Sequence, residues 1–190
     1  MISWIAKRIV NVFENNEVME HEKEIYQHGL ELWLSYVSGL IVQIIFCIFS
    51  GFWIETILFI LFLETLRKYA GGYHANTYLG CNIIYLLSYF IYYALMVYVE
   101  ILPSISVIGY LLSALIVLRL SPVTHIHNPL TKEEQNKYRQ ISYLIVFMDS
   151  VLFFVFYFLL PYYMNIIFIS MLMNALFMLV GLLFNERGGI

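Results

Sequence analysis

Charge is scarce in this sequence. Lysine, arginine, aspartate and glutamate make up 12% of its 190 residues, against about 25% in soluble domains. Hydrophobic residues make up 62%, and mean hydropathy is +0.80. So little charge over so much apolar surface excludes a water-soluble fold of this size. Cysteine is scarcer still. Cys47 and Cys81 form no recognisable disulfide or zinc pattern. No HExxH, internal repeat or low-complexity tract is found, and Lys7 and Arg8 interrupt the first apolar residues, against a cleavable signal peptide. What is left is an all-α, polytopic membrane protein. A single domain is expected over 1–190, with a polar and amphipathic segment at 1–28 and a membrane region at 29–190.

What is present is a series of apolar windows. At about 20 residues per crossing, six spans are expected near 30–50, 52–66, 81–102, 105–120, 141–160 and 163–184. The second and fourth are short. The ten basic residues are Lys7, Arg8, Lys23, Arg67, Lys68, Arg119, Lys132, Lys137, Arg139 and Arg187. With six spans, all ten fall on the same side as the termini. The opposite side has three tight turns, near Gly51, Pro103 and Pro161, without lysine or arginine. The positive-inside rule then makes both termini cytoplasmic. One helix more or fewer would scatter the basic residues over both faces.

Ahead of the first span, Ile2, Ile5, Ile9 and Phe13 recur at helical spacing, with Lys7, Arg8 and Asn11 elsewhere on the wheel. This predicts a short amphipathic helix on the inner leaflet. The alternative is a helix packed on the cytoplasmic loops. The polar stretch 15–28 is expected to join it to the first span. Two cytoplasmic loops remain to carry chemistry: "RKYAGGYHANTYLGCN", Arg67 to Asn82, and "SPVTHIHNPLTKEEQNKYR", Ser121 to Arg139.

In the first loop His74 precedes Cys81 by seven residues. An imidazole beside a cysteine generates the reactive thiolate near neutral pH. On one continuous helix the two would be about 10.5 Å apart along the axis, too far for a hydrogen bond. Contact requires a break, and the sequence supplies breakers in Gly71, Gly72, Asn76 and Gly80. His74 is therefore expected in a segment that folds back, with Cys81 near the cytoplasmic start of the third span. Free N–H groups in the first turn of that helix would favour a thiolate or an oxyanion. The plain alternatives are a histidine that anchors the interface and a cysteine that packs as a small apolar residue. The latter is the reading for Cys47, in the middle of the first span.

The stretch "RKYAGGYHANTYLGC" resembles the hallmark of the accessory gene regulator B family, bacterial membrane endopeptidases that process quorum-sensing prepeptides. The matching residues are Arg67, Gly71, Gly72, His74, Ala75 and Cys81. Pro122, Asn128, Pro129 and Leu130 are similar to a second family segment, although this chain has His125 and His127 where members often have a lysine-rich run. That departure leaves the role of the second loop open.

The resemblance implies a cysteine peptidase at the inner face of the bacterial cytoplasmic membrane, with no cofactor, no metal and no nucleic-acid partner. In it Cys81 is the nucleophile and His74 the general base. The substrate is a short autoinducing prepeptide whose C-terminal tail is released, leaving a thioester that a peptide thiol or hydroxyl closes into a thiolactone or lactone. The resemblance also maps a substrate-positioning role onto Arg67, whose alternative is an inner-leaflet anchor, and implies a homodimer. Gly72 is read as serving backbone geometry.

Other polar residues in the spans are functional candidates by default. Glu64 stands three and four residues before Arg67 and Lys68, so it either pairs with them along a helix or orients His74. Asp149 either pairs with Arg119 or faces the active site. Gln43, Asn165 and Asn174 are expected to form hydrogen bonds between helices, and Glu55 and Glu100 to be interfacial. Two rival functions use these residues. One is a small transporter or channel with Glu55, Glu64 and Asp149 as a polar path, although repeat symmetry is missing. The other is a metal-dependent membrane enzyme with ligands among His74, Cys81, His125 and His127.

Overall fold

The structure is a computed structural model that describes residues 2–13, 23–73, 75, 77–124 and 130–187. The described residues form seven α-helices: α1 (Ile2–Phe13), α2 (Lys23–Ser50), α3 (Trp53–Ala70), α4 (Tyr78–Tyr98), α5 (Pro103–Leu120), α6 (Lys132–Leu159) and α7 (Pro161–Arg187). Each of the six apolar windows falls on one helix, α2 to α7. Five of these, all but α3, are long and apolar enough to cross a membrane. The exception has a physical cause. The 18 residues of α3 include Glu55, Glu64, Arg67 and Lys68, so only its middle is as apolar as its neighbours.

The helices end where the chain chemistry stops them. At the junction of α2 and α3, Gly51 takes φ 74°, a conformation that favours glycine. Pro103 opens α5 and Pro161 opens α7, where a missing N–H costs nothing. Two boundaries differ from expectation. The first is α2, which begins at Lys23, so 23–28 is helix rather than linker. The second is α6, which begins at Lys132 and absorbs the charged half of the second loop. Its cause is a capping box: the Thr131 hydroxyl accepts from the Glu134 N–H, and the Glu134 carboxylate accepts from the Thr131 N–H. At about 1.5 Å per residue, the 28 residues of α2 and of α6 each exceed a hydrocarbon core of about 30 Å.

The described residues gather into two compact units. The first spans 1–50 and 75–89 and contains α1, α2 and the start of α4. There α1 packs on α2 and buries Ala6, while Trp4 is exposed with the Arg8 guanidinium 4.2 Å from its ring centroid. Phe46 of α2 meets Tyr89 of α4 edge to face, with ring centroids 5.5 Å apart.

The second unit spans 51–74 and 90–190. Its centre is α7, which packs against α3, α5 and α6. Of the five apolar helices α7 is the most enclosed: 61% of its apolar window is buried, against 17% to 28% in the others. Large aromatic pairs join other helices of this unit. Phe59 stacks on Tyr92 at 4.0 Å, and Tyr110 on Phe153 at 4.2 Å. Buried polar groups join the helices. Ser106 of α5 donates to Asn165 of α7 at 2.6 Å, and Asn174 of α7 donates to the Leu63 carbonyl of α3 at 3.3 Å. Two of the three expected interhelical amides thus find partners on another helix. Gln43 is buried in α2 but forms no such bond among the described residues.

Outward, the helices present large apolar side chains such as Ile44, Phe49, Leu111, Leu115 and Phe147. Inward they bury Ser106, Ser113, Ser142, Asp149 and Asn174. This inversion of the soluble pattern is what a lipid surround selects.

Candidate active site

The signature segment begins at the end of α3. Arg67 lies in the last turn of that helix and is only 4% exposed. Its Nη2 donates to the Tyr73 carbonyl, and its guanidinium lies 4.1 Å from the centroid of the Phe177 ring. Stacking and a directed donor are what a guanidinium offers and an ammonium does not. Glu64, one helical turn earlier, is half-buried.

The helix then stops sharply. Gly71 takes φ 75° and Gly72 φ 137°, values that strain any residue with a Cβ. Gly71 is also pressed from outside. It pairs with Val123 in an isolated parallel bridge, and Val123 N–H donates to the Ala70 carbonyl at 2.9 Å. A Cβ on Gly71 would stand 2.1 Å from the Val123 carbonyl oxygen.

On the other side the segment lies directly on the backbone of α7. Tyr73 N–H donates to the Phe177 carbonyl at 2.8 Å. A Cβ on Gly181 would come within 2.8 Å of the Tyr73 nitrogen, and one on Gly72 within 3.1 Å of the Phe177 carbonyl carbon. Non-helical backbone near a membrane must find its hydrogen bonds inside the protein. Gly181 opens the space for that bond.

Val123, Phe177 and Gly181 were not among the residues singled out in the sequence. The glycine in an apolar helix was the one available signal, since small residues let backbones approach. The C-terminal end of α5 is held as well: Arg139 Nε donates to the Ser121 carbonyl at 3.1 Å, and the Tyr143 hydroxyl to the Leu118 carbonyl at 3.1 Å.

The next helix, α4, starts under a cap. Thr77 Oγ1 accepts from the Gly80 N–H at 3.0 Å, and the Thr77 carbonyl accepts from the Cys81 N–H at 3.0 Å. Thr77 is therefore the N-cap, and Cys81 the residue that makes the first intrahelical bond. Its side chain is partly exposed. The expected break between the two spans is thus present: α3 ends at Ala70 and α4 begins at Tyr78. The expected place of Cys81 in the first turns of the next helix is also what is observed. Cys47 is buried in α2, as a packing residue would be.

His74 lies outside the described residues, and with it the expected fold-back onto Cys81. Asn76, His125 and His127 also lie outside them, and so do Asn128 and Pro129 of the second family segment. Among the described residues no group of three histidine, cysteine or acidic side chains is placed to hold a metal. Asp149 is buried in α6, and its carboxyl has no hydrogen-bond or ion-pair partner among the described residues; Arg119 is exposed.

A family model for accessory gene regulator B matches residues 6–179. The match covers most of the chain, and the protein belongs to that family. Membership points to a part in the processing of an autoinducing peptide for quorum sensing, in a membrane setting. No curated protein and no solved structure matches the chain.

Proposed function

We propose that the protein is a cysteine endopeptidase of the bacterial cytoplasmic membrane that cleaves a short autoinducing prepeptide at the cytoplasmic face. The observation that carries the reading is Cys81 at the capped start of α4, the helix that follows the Gly71–Gly72 break, in a chain matched to the family across 6–179. In this reading α3 is the sixth crossing. Both termini, Arg67 and Cys81 are then cytoplasmic by the positive-inside rule.

The chemistry needs two side chains. His74 takes the Cys81 proton, and the thiolate attacks a backbone carbonyl of the prepeptide. The tetrahedral intermediate collapses, the C–N bond breaks, and His74 returns the proton to the leaving amine. The C-terminal tail departs and the remaining peptide is held as a Cys81 thioester. A peptide thiol or hydroxyl then attacks that thioester, closing a thiolactone or lactone ring and freeing Cys81. The thioester conserves acyl activation, so ring closure needs no ATP, and exclusion of water favours it over hydrolysis. Arg67 orients the substrate through a carboxylate or carbonyl. Gly72 lets the backbone turn, and Glu64 supports the cytoplasmic end of α3. The substrate, the bilayer and a second copy of the chain, as a homodimer, are the partners; no cofactor takes part.

Mass spectrometry of a candidate prepeptide incubated with the protein in lipid tests this. Cleavage is expected to fall by at least ~10³-fold in Cys81→Ala and in His74→Ala, and to persist in strong chelator. The wild type is expected to accumulate an acyl adduct on Cys81 when the peptide lacks its cyclising side chain. Full activity in Cys81→Ala would exclude the mechanism.

A further inference from the structure

We propose that Asn82 is a positioning residue that sets the direction of the Cys81 side chain by clamping the start of α4 to α2. The proposal rests on the peptidase reading for its catalytic consequence, but the clamp itself stands on geometry.

Asn82 Nδ2 donates to Ser38 Oγ at 2.9 Å, and Ser35 Oγ donates to Asn82 Oδ1 at 3.3 Å. The orientation of the amide follows from the serine. The single hydroxyl proton of Ser38 goes to the Ser35 carbonyl at 2.7 Å, so Ser38 Oγ can only accept from Asn82. The amide nitrogen must therefore face Ser38, which leaves the oxygen for Ser35. All three side chains belong to one compact unit. Gly39 makes room for them: a Cβ there would stand 3.3 Å from Asn82 Oδ1.

The consequence for Cys81 is rotational. Successive residues on an α-helix point about 100° apart, so fixing Asn82 against α2 fixes the azimuth of the preceding residue. A second anchor lies on the same stripe of α4. Tyr89, seven residues on, is fully buried and packs on Phe46 of α2. Gly80 has no side chain, and Thr77 and Leu79 are exposed. The Asn82 bonds to α2 and the Tyr89 contact with Phe46 together oppose rotation of α4 about its axis.

Two readouts test the clamp. One is kcat per site, with sites counted by titration of the reactive thiol, so that a loss of folded protein does not register. The other is the rate at which iodoacetamide alkylates Cys81, followed by peptide-level mass spectrometry, which needs no substrate. Asn82→Ala and Ser38→Ala are expected to lower kcat per site by about 10- to 100-fold, with KM within about twofold, as misplacement of a reacting group does. The same variants are expected to change the alkylation rate by about threefold or more, since a helix free to rotate presents the thiol differently. Ser38→Thr, which keeps the hydroxyl, restores both. The double variant is expected to be no worse than Asn82→Ala, because the bond that Ser38→Ala removes is one of the two that Asn82→Ala already removes.

Kcat per site and alkylation rate within twofold of wild type in both single variants would overturn the proposal. So would losses that multiply in the double variant. Ser38→Ala leaves the sequence of α4 untouched, and so decides the matter where Asn82→Ala fails to fold. Where wild-type protein cleaves no prepeptide, the peptidase reading falls. The alkylation comparison then decides the clamp alone.

Discussion

The two ends of the signature segment are held by different means. The Gly71–Tyr73 end is held mainly by backbone, through Val123 and the Phe177 carbonyl of α7, with one side chain, Arg67, donating to the Tyr73 carbonyl. The Thr77–Asn82 end is held by side chains, through the Thr77 cap and the hydrogen bonds of Asn82 to Ser35 and Ser38. Backbone contact demands glycine and admits no gradation, because any Cβ meets main-chain atoms that cannot move aside. Side-chain contact is graded, because a serine, threonine or asparagine can be trimmed one bond at a time. The first arrangement suits a fixed platform and the second suits fine aim. Substitutions at the first end should therefore unfold the protein before they change its chemistry. Substitutions at the second end should change chemistry in a protein that still folds.

The largest contrast is expected at Gly71. Gly71→Ala places a Cβ at φ 75°, 2.1 Å from the Val123 carbonyl oxygen. Backbone strain of about 1–3 kcal/mol and overpacking of about 1–3 kcal/mol predict a loss of roughly 3 kcal/mol or more. For a chain of this size the unfolding midpoint in detergent should drop by roughly 10 °C. Gly29→Ala is the control. It lies in α2, where an added Cβ meets nothing within 4 Å, and alanine should raise stability by up to about 1 kcal/mol. Equal midpoints for the two variants would break the comparison.

Arg67 comes next, because it stands at the fixed end yet carries a charge. Arg67→Lys keeps the charge but loses the stacking over Phe177 and the directed bond to the Tyr73 carbonyl. A cost of about 2 kcal/mol in stability is expected, with at least about a tenfold fall in kcat/KM. Thermal denaturation and peptide cleavage read the two separately. An unchanged midpoint with normal kcat/KM would show that the guanidinium does not hold the turn.

How much of this was legible in the chain depends on the range of the interaction. Six apolar windows became helices because hydrophobic length is a local property. The glycine break was legible for the same reason, since Gly71 and Gly72 lie next to each other and stop α3 where they stand. The start of α6 is legible too: Thr131 and Glu134 spell a capping box inside a stretch whose prolines and charges favour a loop.

The partners across the chain were not legible. Asn82 meets Ser38 across 44 residues, and Asn174 meets the Leu63 carbonyl across 111. No period or composition encodes which polar side chains will face each other. Gly181 stands out as a small residue in an apolar helix, but its partner does not, because that depends on the approach of Tyr73, over a hundred residues away.

The smallest predicted effect sharpens the contrast from the side-chain end. Thr77→Ala removes the acceptor of the Gly80 N–H and should cost about 1 kcal/mol locally. That loss is confined to the first turn of α4, because the helix can fray there without disturbing Tyr89 on Phe46. The global midpoint should therefore stay near that of wild type. Hydrogen exchange of the Gly80 amide should quicken by about fivefold, the factor that 1 kcal/mol implies. The Cys81 amide, whose acceptor is the Thr77 carbonyl and not its side chain, should quicken less. Thr77→Ser keeps the oxygen and should restore slow exchange. If Thr77→Ala instead lowered the midpoint as far as Gly71→Ala, the Cys81 end would be as rigidly built as the glycine end, and the division between platform and aim would fail.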